Sequence, residues 1–105
     1  MEFVETSIFT RTVIGLLSDD EYRKLQASLF SSPDVGDLIP STGGLRKLRW
    51  GLGGRGKRGG VRVIYYWAIS KDIVLMLYIY AKNVQDDLTP NQRKQLARIV
   101  KEEYP

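Results

Sequence analysis

Eight cations and no acid lie between residues 38 and 71: Arg46, Lys47, Arg49, Arg55, Lys57, Arg58, Arg62 and Lys71. The rest of the chain carries eight cations and all twelve acids, so a net charge of +4 conceals a basic centre in an acidic frame. Concentrated positive potential of this kind attracts phosphate chains and acidic proteins. Composition narrows the chemistry further. The chain has no histidine and no cysteine. It therefore has no disulfide or thiolate metal site, and it lacks the commonest metal ligand and near-neutral proton shuttle. Any catalysis falls to Lys, Arg, Tyr, Asp or Glu.

Within the basic window, GLGGRGKRGG (51 to 60) spells two phosphate motifs at once. Gly51, Gly53 and Gly56 have the spacing of a dinucleotide-binding loop, and Gly51, Gly56 and Lys57 that of a P-loop. Both motifs must open a helix whose N-terminal amides meet the phosphates, and a P-loop needs Ser or Thr after its lysine. Here Arg58 follows Lys57, and VRVIYY, strand-forming by every local cue, follows the glycines. Neither motif is therefore genuine. The segment reads as a hairpin connection whose glycines permit positive φ. Charge of either sign would keep such a tip soluble, so the exclusion of acids from it and its flanking strands favours an anionic partner. Tyr65, Tyr66, Trp67, Tyr78 and Tyr80 lie in the neighbouring strands. At least half are expected in the core, with one or two facing a groove where unpaired bases stack.

The elements that must position these residues are legible from pattern. A length of 105 residues bounds the chain to one domain, 1–105, with a single modest core. Glu2 to Thr6 reads as a short strand, and Ile8 to Leu17 as a helix weakened by Gly15. Ser18-Asp19-Asp20-Glu21 is a capping box opening a second helix that ends near Ser31 to Pro33. Residues 33 to 44, with their prolines and glycines, read as a loop. Leu45 to Leu52 suits a strand with one charged face, and Val61 to Ile69 and Ile73 to Ala81 form the clearest hairpin. Thr89-Pro90-Asn91-Gln92 caps a terminal helix running to about Glu103. The order β-α-α-β-β-β-α predicts an α+β fold: a twisted antiparallel sheet with helices packed on one face, the other side open. No apolar stretch is long enough to cross a bilayer and no signal peptide is evident, so the expected location is cytoplasmic, away from membranes.

Four stretches in this order, GGLRKLRW (43 to 50), GKRGGVRVIYYW (56 to 67), YAKN (80 to 83) and DLTPNQRKQL (87 to 96), together with EYRKLQ (21 to 26), resemble the HigB-type subgroup of the RelE-like bacterial toxins. The likeness spans almost the whole chain. It implies the toxin of a type II toxin–antitoxin pair, monomeric within a hetero-oligomeric complex, whose partner is a helix-turn-helix antitoxin. Such toxins enter the A site of the 30S subunit and cut the mRNA there. Members of the wider RelE/ParE superfamily instead poison DNA gyrase, so a non-enzymatic gyrase inhibitor and a non-cleaving RNA-binding regulator stand as alternatives.

Family roles carry over to Arg62, in VRVIYYW, and to Lys82, after the last strand. Lys47, Arg49, Lys57 and Arg58 match as a basic cluster. The tyrosine that serves some RelE members has no counterpart near Lys82. Cleavage without metal or cofactor uses the 2′-OH as internal nucleophile and needs a base, an acid and stabilisation of an anionic transition state. Without histidine the reaction would require a lysine base set among other cations, and the 46 to 62 cluster makes Lys82 or Lys57 the candidate. Arg62 suits the scissile phosphate, because a planar guanidinium makes paired hydrogen bonds to nonbridging oxygens. Arg46, Lys47, Arg49, Arg55, Arg58, Tyr80 and Asn83 complete the expected RNA-binding set, while Gln92 and Lys94 read as solvated helix surface. A site this sparse implies that the ribosome supplies orientation, and that free RNA is a poor substrate.

Overall fold

The computed structural model describes residues 1–51 and 60–105. Five strands, β1 (Glu2–Glu5), β2 (Asp37–Leu38), β3 (Arg46–Trp50), β4 (Val61–Ala68) and β5 (Ile73–Ala81), form one sheet in the order β1-β5-β4-β3-β2. Three helices, α1 (Ser7–Leu16), α2 (Asp19–Ser31) and α3 (Pro90–Glu103), complete the fold. The α+β class expected from the sequence is the one observed.

Local chemistry explains where the helices begin. Thr6 caps α1: its hydroxyl accepts from the Phe9 amide at 3.2 Å and donates to the Leu77 carbonyl at 2.8 Å, which ties the helix to β5. Ser18 with Glu21, and Thr89 with Gln92, form reciprocal capping boxes that satisfy N–H groups left over at the starts of α2 and α3. The turn between β4 and β5 is a short 3-10 segment, Ile69–Lys71, closed by Asp72 in the left-handed region at φ 53°.

Three features depart from the sequence expectation. The first is β2, a two-residue strand inside the stretch read as loop, which pairs Asp37 with Lys47 and Leu38 with Arg46. It is too short for a periodicity to show. The second is β1, which runs parallel to β5 and makes the otherwise antiparallel sheet mixed at that edge.

The third is the placement of helices on both faces. Phe9 and Val13 of α1 and Leu25 and Leu29 of α2 pack with Val61, Val63, Tyr65, Val74 and Met76. Leu96 and Val100 of α3 pack instead with Ile64, Leu75, Leu77 and Tyr80, the alternate residues of the same two strands. Only α1 and α2 thus share a face, and α3 covers part of the other. The physical reason lies in β4 and β5, whose nearly continuous apolar runs must be buried on both sides. A bulge assists: Ile64 pairs with Tyr78 but Tyr65 with Met76, leaving Leu77 as the extra residue. Leu77 and Tyr78 consequently both lie with the α3 cluster.

Gly60 enters β4 at φ 80°, and a Cβ there would meet the Trp50 carbonyl oxygen at 2.5 Å. That position needs glycine both for its backbone angle and for the closeness of β3.

Candidate nucleic-acid interface

Register decides which cations meet. Arg49 of β3 stands directly opposite Arg62 of β4, which in turn stands opposite Tyr80 of β5. Two residues further along, and so on the same face, Lys47 stands opposite Ile64. Since Ile64 and Tyr80 belong to the cluster under α3, this ladder of Arg49, Arg62, Tyr80 and Lys47 lies on the α3 side of the sheet. Its cations occupy the end that α3 approaches with its N-terminus, where Gln92 reaches the Tyr78 hydroxyl at 3.4 Å.

The members differ in exposure and partnership. Arg49 is exposed and Arg62 half-buried; the Arg62 Nη1 makes a long 3.4 Å contact with the Val61 carbonyl. Lys47 donates from Nζ to the Asp87 carboxylate at 3.3 Å, with its own side chain 21% exposed. That carboxylate also accepts from the Leu88 amide at 2.8 Å. The Leu88 bond first, then Lys47 and Arg93, holds the Asp87 carboxyl below its ordinary pKa. Asp87 is therefore ionised and serves as counter-charge to Lys47.

Tyr80 is 4% exposed, its ring tilted against Tyr78 with centroids 5.6 Å apart. Its hydroxyl is buried and has no hydrogen-bond partner among the described residues. Burial, reinforced by Asp87, pushes its pKa up to about 12, although Arg62 pulls the other way. At neutral pH this hydroxyl keeps its proton, beside a guanidinium, as an unused donor.

Lys82 follows β5 directly, half-buried, and its amide donates to the Gly60 carbonyl at 3.2 Å. This sets Lys82 beside the residue that leads into β4 and Arg62. Asn83 lies exposed in the next turn. Arg46 does not join the ladder. It stands opposite Tyr65, on the α1/α2 side, and its Nη1 donates to the carbonyls of Asp34 at 3.0 Å and Gly36 at 2.8 Å. The same loop is pinned by the Tyr65 hydroxyl, which donates to the Pro33 carbonyl and accepts from the Gly36 amide. Arg46 is thus a structural strut, because odd and even residues of a strand face opposite sides. Arg55, Lys57 and Arg58 lie outside the described residues.

Of the aromatics, Tyr65 is fully buried, Trp67 packs toward α1 and α2, and Tyr66 stacks on Tyr104 at the far end of α3. Sequence reasoning missed Asp87, which follows the last strand and meets Lys47 forty positions away. No spacing rule joins two residues so far apart.

Among the described residues, no group of three His, Cys, Asp or Glu side chains gathers where a metal could be held. No helix of the described residues is long and apolar enough to cross a membrane. The arrangement offers two guanidiniums, an ammonium and a protonated phenol on one strand ladder, with the Asp87 carboxylate at its edge, a set dominated by donors that suits a phosphate chain.

No family model matches the sequence. Among solved structures, the chain is similar to a mutant of the E. coli toxin RelE determined in the free state, with a TM-score of 0.60 and 14% identity over 81% of this chain and 86% of that one. The likeness establishes a RelE-like fold for this chain.

Proposed function

We propose that this chain is the toxin of a type II toxin–antitoxin pair, of the HigB type, and that it cuts translated mRNA in the ribosomal A site. The observation that carries this reading is the directly opposed Arg49 and Arg62 on the face that α3 leaves partly uncovered. Like charges directly across a strand pair oppose folding, and an anion laid over them turns repulsion into attraction. The RelE-like fold supports a toxin, and the sequence motifs support the HigB subgroup.

In the reaction, the 2′-oxygen attacks the adjacent phosphorus, its proton passes to a base and the bond to the 5′-oxygen breaks as that oxygen gains a proton. Arg62 holds the nonbridging oxygens, and its hydrogen bonds strengthen as charge builds on them. Lys47 and Arg49 hold the neighbouring backbone, while Tyr80, expected among the RNA-binding residues, is too buried to meet a base and packs beside Arg62 instead. Lys82, beside the Gly60 carbonyl, is the candidate base among the described residues. The partners that follow are mRNA, the 30S subunit and a cognate antitoxin.

Primer extension on mRNA translated in vitro tests this reading. Codon-linked breaks that vanish in Arg62→Ala/Lys82→Ala support it. Breaks that persist in that variant refute the site assignment, and DNA breaks with intact mRNA refute the reaction in favour of gyrase inhibition.

A further inference from the structure

A second feature lies on the same face, at the other end of α3. Between this helix and the turn at Ser41 to Gly44 is a cleft of about 570 Å³, lined by Tyr66, Tyr104, Lys94, Arg98 and Lys101. The three cations are exposed and recur at i, i+4 and i+7, so they share one side of α3 over about 10 Å of its length. Among the described residues, none of the three has an ion-pair partner. The rings of Tyr66 and Tyr104 lie stacked at 5.8 Å and 29°, both half-buried. The turn keeps close to them: a Cβ on Gly44 would approach the Tyr66 ring at 3.0 Å, whereas Gly43 opens onto free space.

This cleft continues the strand ladder. Arg62, Ile64 and Tyr66 are successive residues on one face of β4, so about 13 Å of strand separates Arg62 from Tyr66. We propose that the cleft is a second nucleotide subsite for single-stranded RNA. A strand anchored on Arg49, Arg62 and Lys47 runs on along α3, its phosphates meeting Lys94, Arg98 and Lys101 and one unstacked base packing on the Tyr66 and Tyr104 rings. The inference rests on the RNA reading above and extends it to a stretch of strand away from the scissile bond.

Charge alone would also suit an acidic peptide. The paired rings in an apolar-floored cleft favour a flat π-system, which every nucleobase provides and an Asp/Glu side chain does not. Acids temper the two ends: Asp87 pairs with Lys47, and Glu103 and Glu2 act on the Tyr104 hydroxyl. The Tyr104 end is accordingly assigned to the base.

The test is fluorescence anisotropy with two uncleavable 2′-O-methyl oligonucleotides, a short one that covers the strand ladder alone and a longer one that also reaches α3. Each is titrated over a range of salt. Lys94→Ala/Arg98→Ala/Lys101→Ala should flatten the salt slope of the longer oligonucleotide by about 2, from about 0.7 per phosphate contact, and leave that of the short one unchanged. Tyr104→Ala should weaken the longer one about fivefold or more and spare the short one. The subsite is refuted if the triple variant binds the longer oligonucleotide with the wild-type slope, or if the wild-type protein binds both lengths equally. Tighter binding of poly-glutamate than of the longer oligonucleotide, lost in the triple variant, refutes it in favour of an acidic peptide. The readings fail separately: translated mRNA left intact by the wild-type protein overturns the proposed function, cleavage intact in Arg62→Gln overturns the site assignment, and cleavage lost in Arg62→Gln with an unchanged slope in the triple variant overturns the subsite alone. Thermal melting of each variant checks that the fold persists.

Discussion

Replacing Arg62 by Gln should make this protein more stable and less active. In the register of β3 and β4, Arg49 and Arg62 are direct partners, with Cβ atoms about 5 Å apart in such pairs. Two unit charges about 5 Å apart repel by about 0.8 kcal/mol in water-like surroundings, and cross-strand pairs are worth about 0.2 to 1 kcal/mol. The exposure of Arg49 keeps the repulsion toward the low end. A relief of about 0.5 kcal/mol corresponds to a Tm rise of about 2 to 4 °C for a domain of this size. The glutamine retains much of the aliphatic stem and gives up only a long 3.4 Å contact to the Val61 carbonyl. On the functional side, losing a donor aimed at developing charge costs about 100- to 1,000-fold in rate. Differential scanning calorimetry at low and high salt measures the first effect, which should shrink as salt screens the pair. Primer extension on translated mRNA measures the second. A lower Tm together with undiminished cleavage would refute the view that this pair sacrifices stability for an anion.

Asp87→Asn should tighten RNA binding, because Lys47 then meets its phosphate without first leaving a carboxylate, whereas Lys47→Ala should flatten the salt slope by about 0.7, the value of one phosphate contact on a single strand; an unchanged slope for Lys47→Ala in anisotropy titrations would show that Lys47 meets no phosphate. Tyr65→Phe leaves the Gly36 amide without its partner, and chemical denaturation should report a loss of about 1 to 3 kcal/mol, with RNA affinity retained because the hydroxyl lies on the α1/α2 side. The Tyr80 hydroxyl has its pKa raised to about 12 in the fold, so its contribution to stability is complete below the ordinary tyrosine value near 10 and is lost as pH climbs toward 12. Urea midpoints followed across that window should fall, and should fall less in Tyr80→Phe; equal slopes in the two proteins would contradict the assignment.

How much of this was legible in advance follows the range of each interaction. The capping boxes at Ser18 and Thr89, the β4–β5 hairpin and the end of α3 depend on neighbours within a few residues, and all lie where pattern places them. The basic centre was legible too, since composition alone separates residues 38 to 71. The face on which each cation stands was not. Arg46, Lys47 and Arg49 look alike in a charged strand, yet parity sends Arg46 to the loop carbonyls and the other two to the ladder. The sequence does carry a signal for α3: VRVIYYWA has apolar residues at both odd and even positions, which a strand covered on one side alone does not require. The Lys47–Asp87 pair and the Tyr66–Tyr104 stack join residues about forty apart, beyond the reach of any local rule.

The two faces of the sheet divide the work. Toward α1 and α2, Val63, Tyr65, Val74 and Met76 are wholly buried among apolar neighbours, and the Arg46 guanidinium is satisfied by backbone carbonyls. Toward α3, the same strands present opposed arginines, a buried hydroxyl with no partner among the described residues, and a lysine whose counter-charge is a largely exposed carboxylate. A buried donor without a partner among the described residues occurs on both faces, at the Tyr80 hydroxyl and at the Trp67 indole, but the directly opposed arginines lie on the α3 face alone, and like charges so placed weaken a fold unless an anion completes them. The form of the set narrows that ligand. A carboxylate-rich metal site or a neutral sugar would call for acceptors, whereas the guanidiniums and the ammonium can only donate. Asp87 sits at the border of this set rather than within it, close enough to hold Lys47 extended in the free protein and exposed enough to yield that lysine when a phosphate arrives.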